Sequence, residues 1–481
     1  MMLYIFLVIV VIGAIVISKS HEMMNLWTIL HAAFALILSL LLLRKLPVFY
    51  FEGQYMFIDH LSVYEMLIAS FIFLIAAIYA HGYVEGMVQH QEMQAKTIKP
   101  FYLALNALMV SILLAFCSNN LALFWIFTEL TTLFSAILIV TPNAKENIAV
   151  ALSYVFMAST AMLFSFVGLI LLFAVSKSAL SEGTLNWTTL TQHSAEFAPA
   201  MMSLAALFIF IGFATKSGVV PFHSWLPHAH AIAPSVISTI LSAVMLNVGM
   251  YGLLRVYAVL KPATGNNSVF SAVCIGFGLL SIAFSALTML AKKNLKRLIA
   301  FSSVENMGLL LLGIGLGSPI AIFWVLFHVL GHSLAKALMF MLSGVIRLEY
   351  HQIHLDDVDY LLERQPFVSF GLIVGSLAVI GMPLSPIFMS KIGLMSELGS
   401  RSLPLLFLAI LLFMLVGAAF TRFMITLFTQ RRGNQNTTKF QTPFSINLAI
   451  LILILALIIC GVALPSPLKT LLTHAVSNLN I

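Results

Sequence analysis

The sequence predicts an all-α polytopic membrane protein of about fourteen helices, and three observations carry that prediction. Hydrophobic residues make up 61% of the 481 and charged residues only 9%, a balance found in chains surrounded by lipid. Apolar runs long enough to cross roughly 30 Å of hydrocarbon recur from one end to the other. Five ionisable residues, Lys216, Lys336, Lys391, Glu129 and Glu305, lie inside those runs. Each costs at least about 3 kcal/mol at mid-membrane, so five together point to a path for protons or other cations.

Windows of about 20 apolar residues fall near 3–18, 25–43, 61–81, 101–117, 121–141, 149–174, 200–220, 232–257, 268–290, 298–316, 319–345, 367–395, 403–429 and 444–464. The first has no basic stretch before it and no small-residue cleavage site after it, so it is expected to remain as a helix. Lys and Arg number thirteen in the odd-numbered loops and seven on the other side, with the densest cluster at Lys292, Lys293, Lys296 and Arg297. That bias puts the odd loops in the cytoplasm and both termini outside, in a cell inner membrane. The net charge of +7 is thereby explained without nucleic acid, since no basic cluster is interleaved with aromatics. Cys117, Cys274 and Cys460 show no metal-binding spacing and read as small apolar residues.

Prolines interrupt two spans. Span seven reads IGFATKSGVVPFHSWLPHAH, with Pro221 and Pro227 after Lys216, and span twelve reads GMPLSPIFMSK, with Pro383 and Pro386 before Lys391. A proline inside a helix removes a backbone bond and clashes with the preceding turn. Irregular backbone at membrane depth survives only where it is buried in protein or lines a wet cavity. Lys391 follows Lys216 by 175 residues and Glu305 follows Glu129 by 176, so the second half repeats the acid and base of the first. The expected organisation is three N-terminal helices in 1–100, a five-helix repeat in 101–258, an inverted copy in 259–430, and a C-terminal loop, helix and tail in 431–481. An odd number of spans per unit inverts the second copy, and paired interrupted helices mark a transporter's ion site.

The segments SNNLALFWIFTELTTLFSAILI, ATKSGVVPFHSWLPHAHAIAPSVISTILSAVMLNVGMYGLLR, KNLKRLIAFSSVENMGLLLLGIG and HVLGHSLAKALMFMLSGVI together resemble the antiporter-like membrane subunits of complex I, multisubunit cation/proton antiporters and group 4 hydrogenases. Within that superfamily they are most similar to hydrogenase-4 component F. The resemblance implies a mid-membrane channel in which Glu129 faces Lys216, with closure or opening of that pair setting whether the lysine keeps its proton. His328, His332 and Lys336, at i, i+4 and i+8 on one helical face, would serve the second half-channel and pass protons towards Lys391. Two departures stand out. Asn247 occupies span eight where many relatives have a lysine or histidine, and an amide carries no cationic proton. Lys391 stands where the component F subgroup has a glutamate.

Glu305 lies in an apolar helix with nothing nearby in sequence to neutralise it. His223, His228 and His230 read equally as an exit lining and as interfacial loop residues, Asp59 and His60 as a helix cap or anchor, and Arg422 as a snorkelling end residue. No nucleotide loop, cysteine framework or haem motif is present in the sequence, so no cofactor or metal is assigned. The expected partners are the lipid bilayer, other membrane subunits, and soluble hydrogenase or NADH dehydrogenase-like subunits that carry the electrons. The loop HQIHLDDVDYLLERQ, 351–365, is either a docking face for them or merely solvated. The 17-residue tail has no long lateral helix, which argues against the complex I member with such an arm. Alternative readings are a subunit of a sodium/proton antiporter, the membrane half of an inorganic-carbon uptake pair, and a structural anchor in which Glu129 and Lys216 merely fasten two helices.

Overall fold

A computed structural model describes residues 2–50, 54–142, 145–265, 269–351, 354, 357–429 and 440–479. Helices α1 (Met2–Ile17) and α2 (His21–Leu42) lead into a ribbon of β1 (Val48–Tyr50) antiparallel to β2 (Met56–Ile58). Next come α3 (His60–Gln89), α4 (Ala95–Cys117), α5 (Leu121–Val140), α6 (Lys145–Leu180) and the short α7 (Trp187–Gln192). The helices α8 (Pro199–Lys216), α9 (Trp225–Ile232) and α10 (Ser235–Ile240) follow, and α10 passes through a π-helical turn, Leu241–Met245, into α11 (Leu246–Thr264). Then come α12 (Val269–Met289), α13 (Leu295–Leu316), α14 (Pro319–Tyr350), α15 (Leu361–Arg364) and α16 (Pro366–Ile380). The last four are α17 (Pro386–Arg401), α18 (Leu403–Thr429), α19 (Phe444–Val462) and α20 (Ser466–Ser477).

The protein is an all-α polytopic membrane protein. Among the described residues, twelve helices, taking α10 and α11 as one, are long and apolar enough to cross a membrane; Tyr4–Ile17 and Pro366–Ile380 are shorter apolar helices. Polar caps fix where several begin. Asp59 accepts from the Ser62 amide at 2.8 Å, Asn294 from Arg297, Ser318 from Ala321 and Ser385 from Phe388, satisfying amides that a helix's first turn leaves open. The α10–α11 stretch and α13 are buried over the whole of their most apolar windows, whereas α18 is buried over 28% of its own. The first two, with α14 and α3, therefore form the centre. Phe156 on α6 and Phe407 on α18 are 75% and 67% exposed, the pattern of a surface that meets lipid rather than water.

Both interrupted spans are broken. The first stops at Lys216, turns through Gly218 at φ +69°, and restarts at Trp225; the second stops at Ile380 and restarts at Pro386. Between the halves of the second, Gly381 sits at φ +86°, and a Cβ there would come within 3.0 Å of Lys391 Cδ. That is a position for glycine on both counts.

Three loop readings change. Lys296, counted with the cytoplasmic cluster, is buried, and its ammonium donates to Ala233 O at 2.7 Å; the asparagine cap starts α13 early enough to carry it inside. His228 and His230 lie on α9 instead of in a loop. The tail folds as α20, a single short helix packed on α3 and α14, with His474 stacked on His60 at 5.0 Å. Of the 351–365 loop, residues 352, 353, 355 and 356 lie outside the described residues.

A buried ion pair clamps α3 to α11. Arg255 donates to both carboxylate oxygens of Asp59 at 2.8 and 2.7 Å, and also to Ser62 Oγ and Tyr251 OH; both charged side chains are 1% exposed. Trp187 covers the guanidinium at 4.0 Å. Asp59 thus caps, as the sequence suggested, but also neutralises. Removing one partner strands the other charge: Asp59→Ala is expected to destabilise the chain by ~3–5 kcal/mol, and a double Asp59→Leu/Arg255→Met replacement by less. Thermal unfolding of the detergent-solubilised chain checks both.

Candidate proton-translocation axis

The breaks decide where the two lysines point. Lys216 is the last residue of α8, is buried, and donates to Thr132 Oγ1 on α5 at 2.7 Å. Its neighbour Thr215 has its carbonyl taken by Trp225 Nε1 at 3.0 Å, so the broken end is capped by a side chain from beyond the break. Gly249 on α11 lets this end sit close: a Cβ there would collide with Ser217 Oγ and come within 2.7 Å of Phe213 O. Glu129 is one turn before Thr132, half-buried, and accepts from Ser159 Oγ at 2.9 Å while its other oxygen has no partner. Among the described residues no ion pair joins Glu129 to Lys216, and Thr132 holds the ammonium instead. The expected facing pair is therefore seen in an open arrangement.

Beyond Lys216 the polar atoms continue. Ser135 Oγ donates to Thr132 O at 3.0 Å and lies 2.9 Å from Tyr154 OH. Tyr154 reaches the π turn at Met245 Sδ, 3.6 Å away. A π turn relieves carbonyls of their usual helical partners and recurs at functional sites. Here His332 Nε2 lies 3.3 Å from Ser242 O, Ser333 Oγ donates to Ala243 O at 2.6 Å, and Asn247 Nδ2 donates to the same carbonyl and to Ser333 Oγ. A carbonyl only accepts, so His332 Nε2 carries a proton, while Nδ1 is buried and has no hydrogen-bond partner. Asn247 Oδ1 is also buried with no partner.

The second half is a tighter cluster. Lys336 donates to Ile299 O at 3.0 Å and to Ser302 Oγ. Asn306 Nδ2 donates to Ser302 O at 2.5 Å and to Glu305 Oε2 at 2.6 Å. Glu305 pairs with Lys391 at 3.0 Å, and Lys391 also donates to Ile380 O at 3.2 Å, a carbonyl that the second break frees. Phe413 lies 4.4 Å from the ammonium.

His328 joins this cluster in a way that serves either protonation state. Both Asn306 amide hydrogens are committed to acceptors, so its Oδ1 accepts from His328 Nε2 at 2.8 Å. The other ring nitrogen lies 2.8 Å from Ser390 Oγ, which also has Ile387 O within 2.9 Å. When the ring is neutral, the hydroxyl turns to donate to it; when the ring is charged, the ring donates and the hydroxyl turns to Ile387.

The structure thus gathers Glu305, Lys391, His328 and Lys336 into one network, sets His332 and Asn247 at its junction with the first half, and sets Glu129 and Lys216 around Thr132. Pro221 lies in the first break. His223 stands apart, edge-on to Phe284 at 4.6 Å. Thr132, Ser302, Ser390, Asn306 and Ser333 were not singled out in the sequence. Each is a neutral neighbour, within four residues, of an ionisable residue that was, and that adjacency is the only signal they carry.

A scan of family models matches residues 118–421 to the NADH:quinone oxidoreductase/Mrp antiporter transmembrane family, which is most of the chain. The chain belongs to that family. Among curated relatives, the hydrogenase-4 component F homolog of Methylacidiphilum infernorum is 30% identical over 82% of this chain and 83% of its own length. Hydrogenase-4 component B of Escherichia coli is 27% identical over 71% of this chain, which spans about half (51%) of that protein. Two solved structures share the antiporter-family fold. A chain of an archaeal membrane-bound sulfane sulfur reductase has a TM-score of 0.86 at 22% identity, covering 99% of this chain and 96% of that one. A chain of the Mrp complex from a Dietzia species has a TM-score of 0.87 at 17% identity, covering 98% and 96%.

Ser390→Ala leaves a buried ring nitrogen of His328 without its partner, a loss worth about 1–3 kcal/mol. The unfolding temperature of the variant is expected to fall accordingly, and an unchanged temperature would show that Ser390 is not holding that ring.

Proposed function

We propose that this chain moves protons across the membrane as an antiporter-like subunit of a multisubunit redox-driven complex of the hydrogenase-4 or NADH dehydrogenase type. One observation carries the reading. The ionisable groups are not scattered as separate structural pairs, but sit among polar atoms that run from Thr132 through the π turn to Lys391. Lys216, with a neutral hydroxyl as its partner, can give up its proton without stranding a paired carboxylate. Closing on Glu129 would make it take the proton back. Lys391 is held by Glu305, so the two lysines stand in opposite conditions, as alternating loading and release require.

Several finer statements belong with this reading. The units 101–258 and 259–430 act as inverted repeats, supported by the lysine beside each break. The tails of the chain face outward from a cell inner membrane. In support, the Tyr4 end of α1 lines one cavity with Leu42, Ile58 and Met66, near the His60 end of α3 where α20 also packs. Redox chemistry takes place on soluble hydrogenase or NADH dehydrogenase-like partners, and other membrane subunits abut this one.

The test uses native membrane vesicles that carry the complex. Lys216→Ala is expected to abolish proton uptake driven by an electron donor while the chain still co-purifies with iron–sulfur subunits. Uptake that needs sodium and no electron donor would replace this reading with the antiporter one, and unchanged uptake would reduce the lysine to a structural role.

A further inference from the structure

Among the described residues, four carboxylates with buried side chains belong to the central helices, and three are neutralised: Asp59 by Arg255, Glu305 by Lys391 and Glu349 by Arg364. The fourth, Glu65 on α3, is 2% exposed, its Oε2 has no hydrogen-bond partner, and among the described residues it makes no ion pair. An ionised carboxylate in that setting would have to be paired to persist. We propose that Glu65 is a proton site on an outward branch of the axis, holding its proton as a neutral carboxyl and exchanging it with the axis through water beside Asn247. The inference rests on the transport reading and adds a residue to it.

Geometry sets the two groups together. Ser62 Oγ lies 3.1 Å from Tyr251 OH, which pins α3 to α11 at that depth. The helices run in opposite directions, because Asp59 meets Arg255 near one end and Tyr83 OH accepts from the Ser235 amide near the other. From the pinned pair, Glu65 is three residues along α3 and Asn247 four residues along α11 in the same direction, about 4.5 Å and about 6 Å of rise. Asn247 Oδ1 is a buried acceptor with no donor, and a protonated Glu65 is a donor with no acceptor. A water with two to four polar partners satisfies both. One turn outward stand Ser62, Tyr251 and the Asp59 and Arg255 pair, which lead to a cavity of about 260 Å³ lined by Asp59, Thr188, Gln192 and Asn478.

The titratable groups on the surrounding elements do not supply a counter-charge. Tyr64 on α3 donates to Leu326 O, Tyr251 lies on α11 and His328 on α14 is committed to Asn306 and Ser390, while Cys460 lies on α19 and His474 on α20 stacks on His60. The full charges closest along this path, Asp59 and Arg255, cancel each other.

The test takes the complex containing the full chain, in lipid vesicles, with wild type, Glu65→Gln, Glu65→Asp and Lys216→Ala. Glutamine mimics the neutral acid, so assembly should be unchanged. Infrared difference spectra should lose the protonated-carboxyl C=O band in Glu65→Gln and keep a displaced one in Glu65→Asp. Proton uptake should fall by about tenfold or more in Glu65→Gln and recover in part in Glu65→Asp. Loss of carboxylate bands in place of the protonated-acid band would overturn the inference, as would normal uptake in Glu65→Gln beside lost uptake in Lys216→Ala. Normal uptake in both variants would overturn the transport reading and this inference with it.

Discussion

Desolvation is the constraint on which the rest of this structure depends. Charges carried into apolar helices must find a counter-charge, a ring of neutral dipoles, or a proton that removes the charge. The bundle uses the first two in plain view. Asp59 with Arg255 and Glu305 with Lys391 are counter-charged, and Lys216, Lys296 and Lys336 rest on hydroxyls and carbonyls. The third solution is the one proposed for Glu65. Pairing freezes a proton in place, whereas dipoles and neutral acids leave it free to move. The distribution of the three solutions along the axis is therefore what gives the proposed transport its physical basis.

The backbone supplies many of those dipoles by departing from the regular helix. At the second break, Ile380 O is released to Lys391, and at the first, Thr215 O to Trp225. At the π turn, Ser242 and Ala243 turn their carbonyls to His332, Ser333 and Asn247. Three irregularities thus mark the two ends and the middle of the proposed axis. The π turn is buried in protein, whereas in the second break Met382 and Leu384 are 45% and 69% exposed; irregular backbone at membrane depth is tolerated where it is buried in protein or lines a wet cavity. Membership of the NADH:quinone oxidoreductase/Mrp antiporter family accords with this arrangement.

Much of the fold was legible because lipid makes the hydrophobic signal long and simple: a run of about twenty apolar residues reads as a helix whatever its neighbours. The breaks were legible because proline states its effect locally. The ionisable members of the candidate axis were legible for the same reason as the helices, as exceptions in an apolar background. Neutral partners were not. Thr132, Ser302 and Ser390 look like any hydroxyl in a membrane helix, where such groups usually bond back to their own turn, and only the approach of a second helix gives them a role. The π turn left no mark in LSAVM that separates it from ordinary helix. Lys296 was misjudged because its sequence neighbours are exposed, while the burial comes from α9 packing against α13.

The central claim is that the two lysine clusters belong to one path joined at Asn247. The most direct measurement is donor-driven proton uptake by vesicles carrying the complex with Asn247→Leu, which replaces the junction's amide by an apolar side chain of similar size. The account predicts that uptake is lost while the chain remains folded and assembled with its partners. Uptake at the wild-type rate in an assembled Asn247→Leu complex would contradict it, leaving two separate half-sites in place of one axis.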